Sequence, residues 1–249
     1  MLRPWKWIKY CNMKLAYDLH IHSCLSPCGD EEMTPANIAG MCALAGLDVV
    51  ALTDHNSSRN CAAFEQAARS HGLLAIPGME LCTREEVHVV CLFPDVEKAM
   101  AFSDYVGSKL PHIPNNPEIF GVQLCMDSQD MVLGEEDLLL AGAADIGLYE
   151  VPKMMEKFSG LAFPAHIDRP SNSLLSQMGL WMPDLNFPLA EVSRSCPPDL
   201  FKRPDLANLR HISACDAHDL TQIPDACQYM DIPERSVDAV FRWLKNGGM

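Results

Sequence analysis

The sequence predicts an α/β domain in which about seven parallel strands close into a barrel with helices outside. Short apolar runs alternate with segments of helical periodicity along most of the chain. Six of the nine histidines stand at the C-terminal tips of those runs, most beside a carboxylate, which is where a closed barrel gathers its functional groups. A length of 249 residues with 48% hydrophobic content is enough for one barrel-sized core.

The first apolar run, residues 15–20, leads into Asp18-Leu19-His20-Ile21-His22. Histidines two apart at a strand end project to the same side and can grip one ion. Thr34 can cap the next helix and Pro35 suits its first position, while Ile38, Met41, Cys42 and Ala45 mark one face before Gly46 ends it. The run 49–53 leads to Thr53-Asp54-His55, 73–77 to Gly78-Met79-Glu80, and 87–93 carries His88. Helices are expected at 62–70 and 96–106. Residues 108–145 break the rhythm. Pro111, Pro114 and Pro117 with Asn115 and Asn116 make a turn-rich stretch, and 122–126 with 131–133 resemble a hairpin around Asp127-Ser128-Gln129-Asp130. An insertion over the active-site face is expected there, suited to a lid that sets substrate choice and equally to a structural excursion. Beyond it, 161–165 leads to His166, 189–192 precedes Arg194, and 211–215 precedes Asp216-Ala217-His218, with helices expected at 149–158 and 236–245. The domain spans 13–249 in this reading, after a tail at 1–12.

Composition narrows the function classes. A formal net charge of -14 argues against a long nucleic-acid partner, because phosphate would be repelled. No run of about 18 apolar residues exists, so no membrane segment is expected. The eleven cysteines form no Cys-x-x-Cys pair and mostly sit inside apolar runs, as buried thiols of a reducing cytoplasm do. Residues 1–12 carry Trp5, Trp7 and basic residues without an apolar core, so no signal peptide is expected there.

Imidazole nitrogens and carboxylate oxygens are ligands for zinc, iron and manganese, and a carboxylate can bridge two ions where a neutral imidazole cannot. One His-x-His pair is weak testimony, but five further strand-then-ligand tips strengthen it. His71, His112 and His211 fall outside the pattern and read as histidines with ordinary partners.

The set Asp18-Leu19-His20-Ile21-His22-Ser23, Thr53-Asp54-His55, Glu80, His88, His166 and Asp216-Ala217-His218 resembles, in order and spacing, the motifs of the PHP (polymerase and histidinol phosphatase) superfamily of metal-dependent phosphoesterases, from about Tyr17 to His218. The resemblance implies a distorted (β/α)7 barrel with two or three divalent ions. It implies that His20, His22, Glu80 and Asp216 hold one ion, that Glu80 bridges to a second held by His88 and His166, and that His55 and His218 hold a third with one ligand from the loop after His22. That loop offers Cys28 and Asp30: counting forward from His22 favours Cys28, counting back from Thr34-Pro35 favours Asp30, and Asp30 is the expected ligand with Cys28 packed nearby; a thiolate would bias the site toward zinc or iron, whereas a carboxylate suits manganese equally well. Glu80 and Asp54 are the catalytic carboxylates of this reading, Asp54 orienting a ligand rather than binding metal. Arg169 and Arg194 are the candidate phosphate partners at the rim. The activity implied is hydrolysis of phosphoesters of a small soluble substrate by a metal-activated hydroxide. The alternatives are a non-catalytic metal-binding module and a metal-dependent amidohydrolase, which typically has a bridging Lys that no motif here supplies.

Overall fold

The computed structural model describes residues 12–247, so the expected tail at 1–12 lies, apart from Asn12, outside the described residues. Strand β1 (Met13–Ile21) is buried on both faces from Leu15 onward, which explains why it reads as a continuous apolar run rather than an alternation. Helix α1 (Pro35–Leu44) follows, with the Thr34 hydroxyl accepting the Asn37 N–H at 3.3 Å, a cap of the kind that contributes about 1 kcal/mol. Strand β2 (Val49–Leu52), helix α2 (Cys61–Ser70) and strand β3 (Leu74–Cys82) complete a parallel β1-β2-β3 unit. Outside it, α1 and α2 pack Ile38, Cys42, Phe64 and Ala68 against Ile21, Val50 and Leu52.

The expected all-parallel order stops there. Strand β4 (His88–Leu92) pairs antiparallel with β3, and β7 (Leu161–Pro164) antiparallel with β4. The reason is chain length: only residues 83–87 join β3 to β4, with Glu86 at φ 57° in the turn, and a parallel crossover needs a dozen or more residues. Strand β10 (Tyr229–Ile232), four residues with two buried, pairs antiparallel with the start of β1. Its brevity hid it from the sequence pattern.

Helix α3 (Val96–Gly107) leads to the excursion at 108–145, which holds helix α4 (Pro117–Phe120) and the hairpin of β5 (Leu124–Met126) and β6 (Val132–Glu135). Helices α5 (Val151–Lys157) and α6 (Leu174–Met178) flank β7 in sequence, strands β8 (Ala190–Ser193) and β9 (His211–Ala214) form a parallel pair, and α7 (Val237–Asn246) ends the described chain. The architecture is thus a curled six-stranded sheet, β10-β1-β2-β3-β4-β7, faced by the β8-β9 pair. Leu19, Ala51, Ile76, Val90, Phe163, Leu189, Ile212 and Met230 fill the space between, and Val240 and Leu244 of α7 pack into the same cluster. Among the described residues a continuous seven-strand ladder does not form. Main-chain bonds stitch the pair to the sheet beyond the strands' carboxyl ends: Ile167 N–H to the Glu191 carbonyl at 2.9 Å, Asp216 N–H to the His20 carbonyl at 2.9 Å, and His22 N–H to the Ala217 carbonyl at 3.0 Å. Among the described residues no helix is long and apolar enough to cross a membrane.

Candidate metal centre

The sequence-predicted ligands converge at these stitched strand ends. Glu80, 1% exposed, is the hub. Its Oε1 lies 2.9 Å from His88 Nδ1, 2.9 Å from His166 Nε2 and 3.4 Å from His20 Nε2, and its Oε2 lies 3.0 Å from His55 Nδ1 and 3.3 Å from His22 Nε2. Opposite it, Asp216 Oδ1 stands 3.0 Å from His22 Nε2 and 3.3 Å from His20 Nε2, which are themselves 3.1 Å apart. The donors fall into three overlapping groups whose ligand atoms lie within 4.8 Å of one another: His20, His22, Glu80 and Asp216; His55, Glu80 and His88; and His22, His55 and His218. His166 joins through Glu80.

The electrostatics of this cluster call for cations. Imidazole nitrogens facing each other carry lone pairs that repel unless a proton or a metal ion lies between them. Glu80 Oε2, Asp216 Oδ1 and His166 Nδ1 are buried without a hydrogen-bond partner among the described residues, and groups left so are costly unless a ligand satisfies them. Burial alone would push the Glu80 carboxyl up, but His88, His20 and His55 outweigh it and hold it well below the usual carboxylate range. Burial lowers His218 to about 3 and lowers His88. For His22 burial is outweighed by the Asp216 and Glu80 carboxylates facing its Nε2, which raise it to about 9. Cationic and neutral rings therefore interleave around two carboxylates, an arrangement suited to oxygen and nitrogen ligation of divalent ions. Two of the donors sit on strained backbone, His166 at φ 28° and Asp216 at φ 51°, a strain of order 1–3 kcal/mol each that proteins keep at functional sites.

Residues 18–139 match the PHP domain family model. The chain carries a PHP domain. The matched segment holds His20, His22, His55, Glu80 and His88, while His166, Asp216 and His218 reach the PHP site from the ends of β7 and β9, beyond it. No curated protein matches the sequence. Among solved structures, the lesion-specific endonuclease Q from Pyrococcus furiosus has a similar fold, with a TM-score of 0.68 at 19% identity over 95% of this chain and 57% of that one. The present chain therefore spans little more than half of that protein. A complex of endonuclease Q with a 27-mer duplex carrying an abasic lesion at the active site is similar to the same degree, with a TM-score of 0.68 at 18% identity and the same coverage. A protein from Bifidobacterium adolescentis described as a metal-dependent phosphoesterase gives a TM-score of 0.63 at 19% identity, over 94% of this chain and 96% of that one. At these identities the likeness is one of fold.

The duplex in the endonuclease Q complex overturns one sequence-based expectation, that an acidic balance excludes long nucleic acid. Endonuclease Q, which shares this fold over 57% of its length, is seen with a duplex substrate whose abasic lesion lies at its active site. Net charge describes the whole surface, whereas a substrate meets the local field of a mouth.

Other sequence candidates separate in space. Asp54, expected among the catalytic carboxylates, is 1% exposed and fully engaged from behind: it accepts the Ser23 N–H at 2.6 Å, the Ser23 hydroxyl at 2.7 Å and the Ser26 hydroxyl at 2.7 Å. Ser26, which sequence reasoning passed over, then stands 2.9 Å from His22 Nδ1 and accepts the His55 N–H at 3.1 Å. The Asp54 carboxylate thus reaches the His22 ring through Ser26, while its main-chain carbonyl accepts the Glu80 N–H at 3.0 Å. Arg169 stands at the rim, 41% exposed, with Nη1 2.6 Å from Asp216 Oδ2; with Ser171 and Asn172 it edges a cavity of about 100 Å³ floored by His55, His88, His166 and His218. Arg194 is not at the rim. It lies against Cys227 Sγ at 3.6 Å in a separate cleft with Tyr17 and Leu47, because residues three apart along a strand face opposite ways and Glu191 takes the inward position.

The loop after His22 also corrects the preference for Asp30. The Asp30 carboxylate is exposed and accepts the Glu32 N–H at 2.8 Å, while only its main-chain N–H touches the site, at the His218 carbonyl, 2.9 Å away. Cys28 is exposed on the same loop, and its nearness to the His55 ring favours the charged imidazole. Gly29 makes the tight fold possible, since a Cβ there would overlap the Ser23 carbonyl oxygen.

Proposed function

We propose that this PHP domain hydrolyses phosphoesters with the help of two or three divalent ions, zinc, manganese or iron. The observation that carries the reading is the Glu80 carboxylate, with one oxygen among His88, His166 and His20 and the other between His55 and His22. His20, His22, Glu80 and Asp216 would hold one ion, Glu80, His88 and His166 a second, and His55 and His218 a third, with Cys28 on the adjoining loop. Such ions, when bound, lower the pKa of a water and neutralise charge on phosphoryl oxygens during in-line attack. The chain's own part is orientation. Arg169, held at the rim by Asp216, offers the remaining guanidinium donors to a phosphoryl oxygen, and the Ser171 hydroxyl and Asn172 amide stand beside it.

A cavity of about 100 Å³ accepts a phosphoryl group rather than a whole nucleoside, so the leaving group lies outside it. Both a terminal phosphomonoester and a phosphodiester within a strand meet that condition, and the endonuclease Q complex makes DNA a substrate to test. The excursion at 108–145 would form one wall of the approach: the Leu124 N–H bonds the Cys24 carbonyl at 3.0 Å, and Asn60 Nδ2 donates both to Ser23 Oγ and to the Leu124 carbonyl, each at 3.0 Å.

The test is a turnover screen of phosphomonoesters, small phosphodiesters and duplex DNA with and without an abasic site, under added zinc, manganese or iron. Turnover of one class, abolished by chelation, is expected. Arg169→Ala should lower it roughly 10- to 100-fold with metal content unchanged, as loss of a charge-assisted hydrogen bond does. Failure of every phosphoester, with an amide or lactone turned over instead, would replace this reading.

A further inference from the structure

Glu191 is a fully buried carboxylate inside the apolar run Leu189-Ala190-Glu191-Val192. Both of its oxygens lie 3.0 Å from His20 Nδ1, 171 residues away in sequence, and Oε1 also accepts the His166 main-chain N–H at 3.2 Å. The neighbouring Ile167 N–H bonds the Glu191 carbonyl. It has no access to the cavity. We propose that Glu191 is a positioning residue, holding His20 in the tautomer protonated at Nδ1, so that the Nε2 lone pair faces Glu80 and Asp216, and fixing the strained His166 turn with the same carboxylate.

Donor and acceptor capacity decides the tautomer. An ionised carboxylate can only accept, so the ring nitrogen facing it must carry the hydrogen, and a neutral imidazole then has its lone pair on the other nitrogen. Such a carboxylate behind a ligating histidine fixes the ring's orientation and raises its basicity. Glu191 differs from Asp54, which acts on His22 through the Ser26 hydroxyl, in touching His20 directly and in gripping His166 on another strand. One side chain thereby sets the spacing between two ligands that both approach Glu80 Oε1.

This inference rests on the metal-centre reading, and its test separates the two. Zinc affinity is measured by chelator competition at fixed pH on wild type, Glu191→Gln and Glu191→Leu, with the His20 tautomer read from imidazole nitrogen chemical shifts. Glu191→Leu should weaken one zinc of the set by about 10- to 100-fold and leave His20 a mixture of tautomers. Glu191→Gln keeps an acceptor of the same shape, so it should lose less and hold the Nδ1–H form; it also keeps the test decisive if the leucine variant does not fold. Unchanged affinity and tautomer in the folded variants overturn the positioning role and leave the metal centre standing. Equal loss of every zinc together with a lowered melting temperature overturns it in favour of a structural role. Wild type that takes up no zinc overturns both readings.

Discussion

The floor of the cavity and the excursion that flanks it hold their residues in opposite ways. At the floor, His20, His22, Glu80, His166 and Asp216 are each at most 5% exposed and are fixed by bonds that cross between strands, such as Asp216 N–H to the His20 carbonyl. In the excursion β6 is exposed along its whole length, and Met131, Val132 and Leu133 are 64%, 55% and 71% exposed. A few side chains tie it down: Asn60 to the Met126 N–H at 2.9 Å, and Asp130 to the Thr34 hydroxyl at 2.6 Å. Ligand geometry therefore belongs to the strand ends, where a small displacement is opposed by several neighbours at once. The excursion is free to vary without disturbing it.

The strongest way to break this contrast is Glu80→Ala. It removes the hub of two ligand groups, so metal content should fall by at least one ion per chain and activity by more than about 100-fold, beyond the range typical of outer-shell changes. Elemental analysis beside turnover measures both, and full metal occupancy in this variant would remove Glu80 from the centre of the site. Ser26→Ala comes next. It cuts the side-chain link from the Asp54 carboxylate to the His22 ring and leaves the His55 N–H without its acceptor, so metal affinity should drop roughly 10- to 100-fold, and Asp54→Asn should give a loss of similar size. A null result for Ser26 with a large one for Asp54 would mean that Asp54 acts by another route.

Proton competition sharpens the same contrast. In the metal-free protein His22 and His55 are raised to about 9; burial opposes the charge on both, but Asp216 and Glu80 outweigh it for His22, and Glu80 with Cys28 does so for His55. An entering cation must displace those protons, so zinc affinity should climb as pH rises from about 6.5 to 9 and flatten above that. The metal-free fold should behave in the reverse sense. A folded pKa raised above the unfolded value near 6.5 gives stability that is complete below pH 6.5 and is lost as pH rises through about 9. Melts of the metal-free protein across that window, set beside chelator competition, measure both slopes, and a flat affinity profile would contradict the protonated state of His22 and His55.

The smallest effects are expected away from the floor. Leu133→Ser and Arg194→Ala should leave metal content unchanged and shift stability by no more than about 0.5 kcal/mol. Leu133→Ser is the informative one of the two, because a change in substrate preference at constant metal content would give the excursion a part in recognition.

Strand-end chemistry was legible in the sequence because it is local. An apolar run followed by His or a carboxylate announces both the strand and the ligand, and the structure brings His20, His22, His55, Glu80, His88, His166, Asp216 and His218 together at one end of the curled sheet. Cap and stop signals around α1 were equally plain, since Thr34, Pro35 and Gly46 act on their immediate neighbours. What the tertiary structure decided depends on strands meeting that are far apart in the chain. Glu191 looked like one acid in an apolar run until β8 was laid against β1, and Ser26 like a loop serine until its loop closed over His22. The antiparallel turn of β4 followed from a connection too short to cross over, the outward course of Arg194 from strand alternation, and the exposure of Asp30 from the fold of its loop around Gly29. Sequence spacing names the donors; which acceptor each donor meets is fixed only when the strands are assembled.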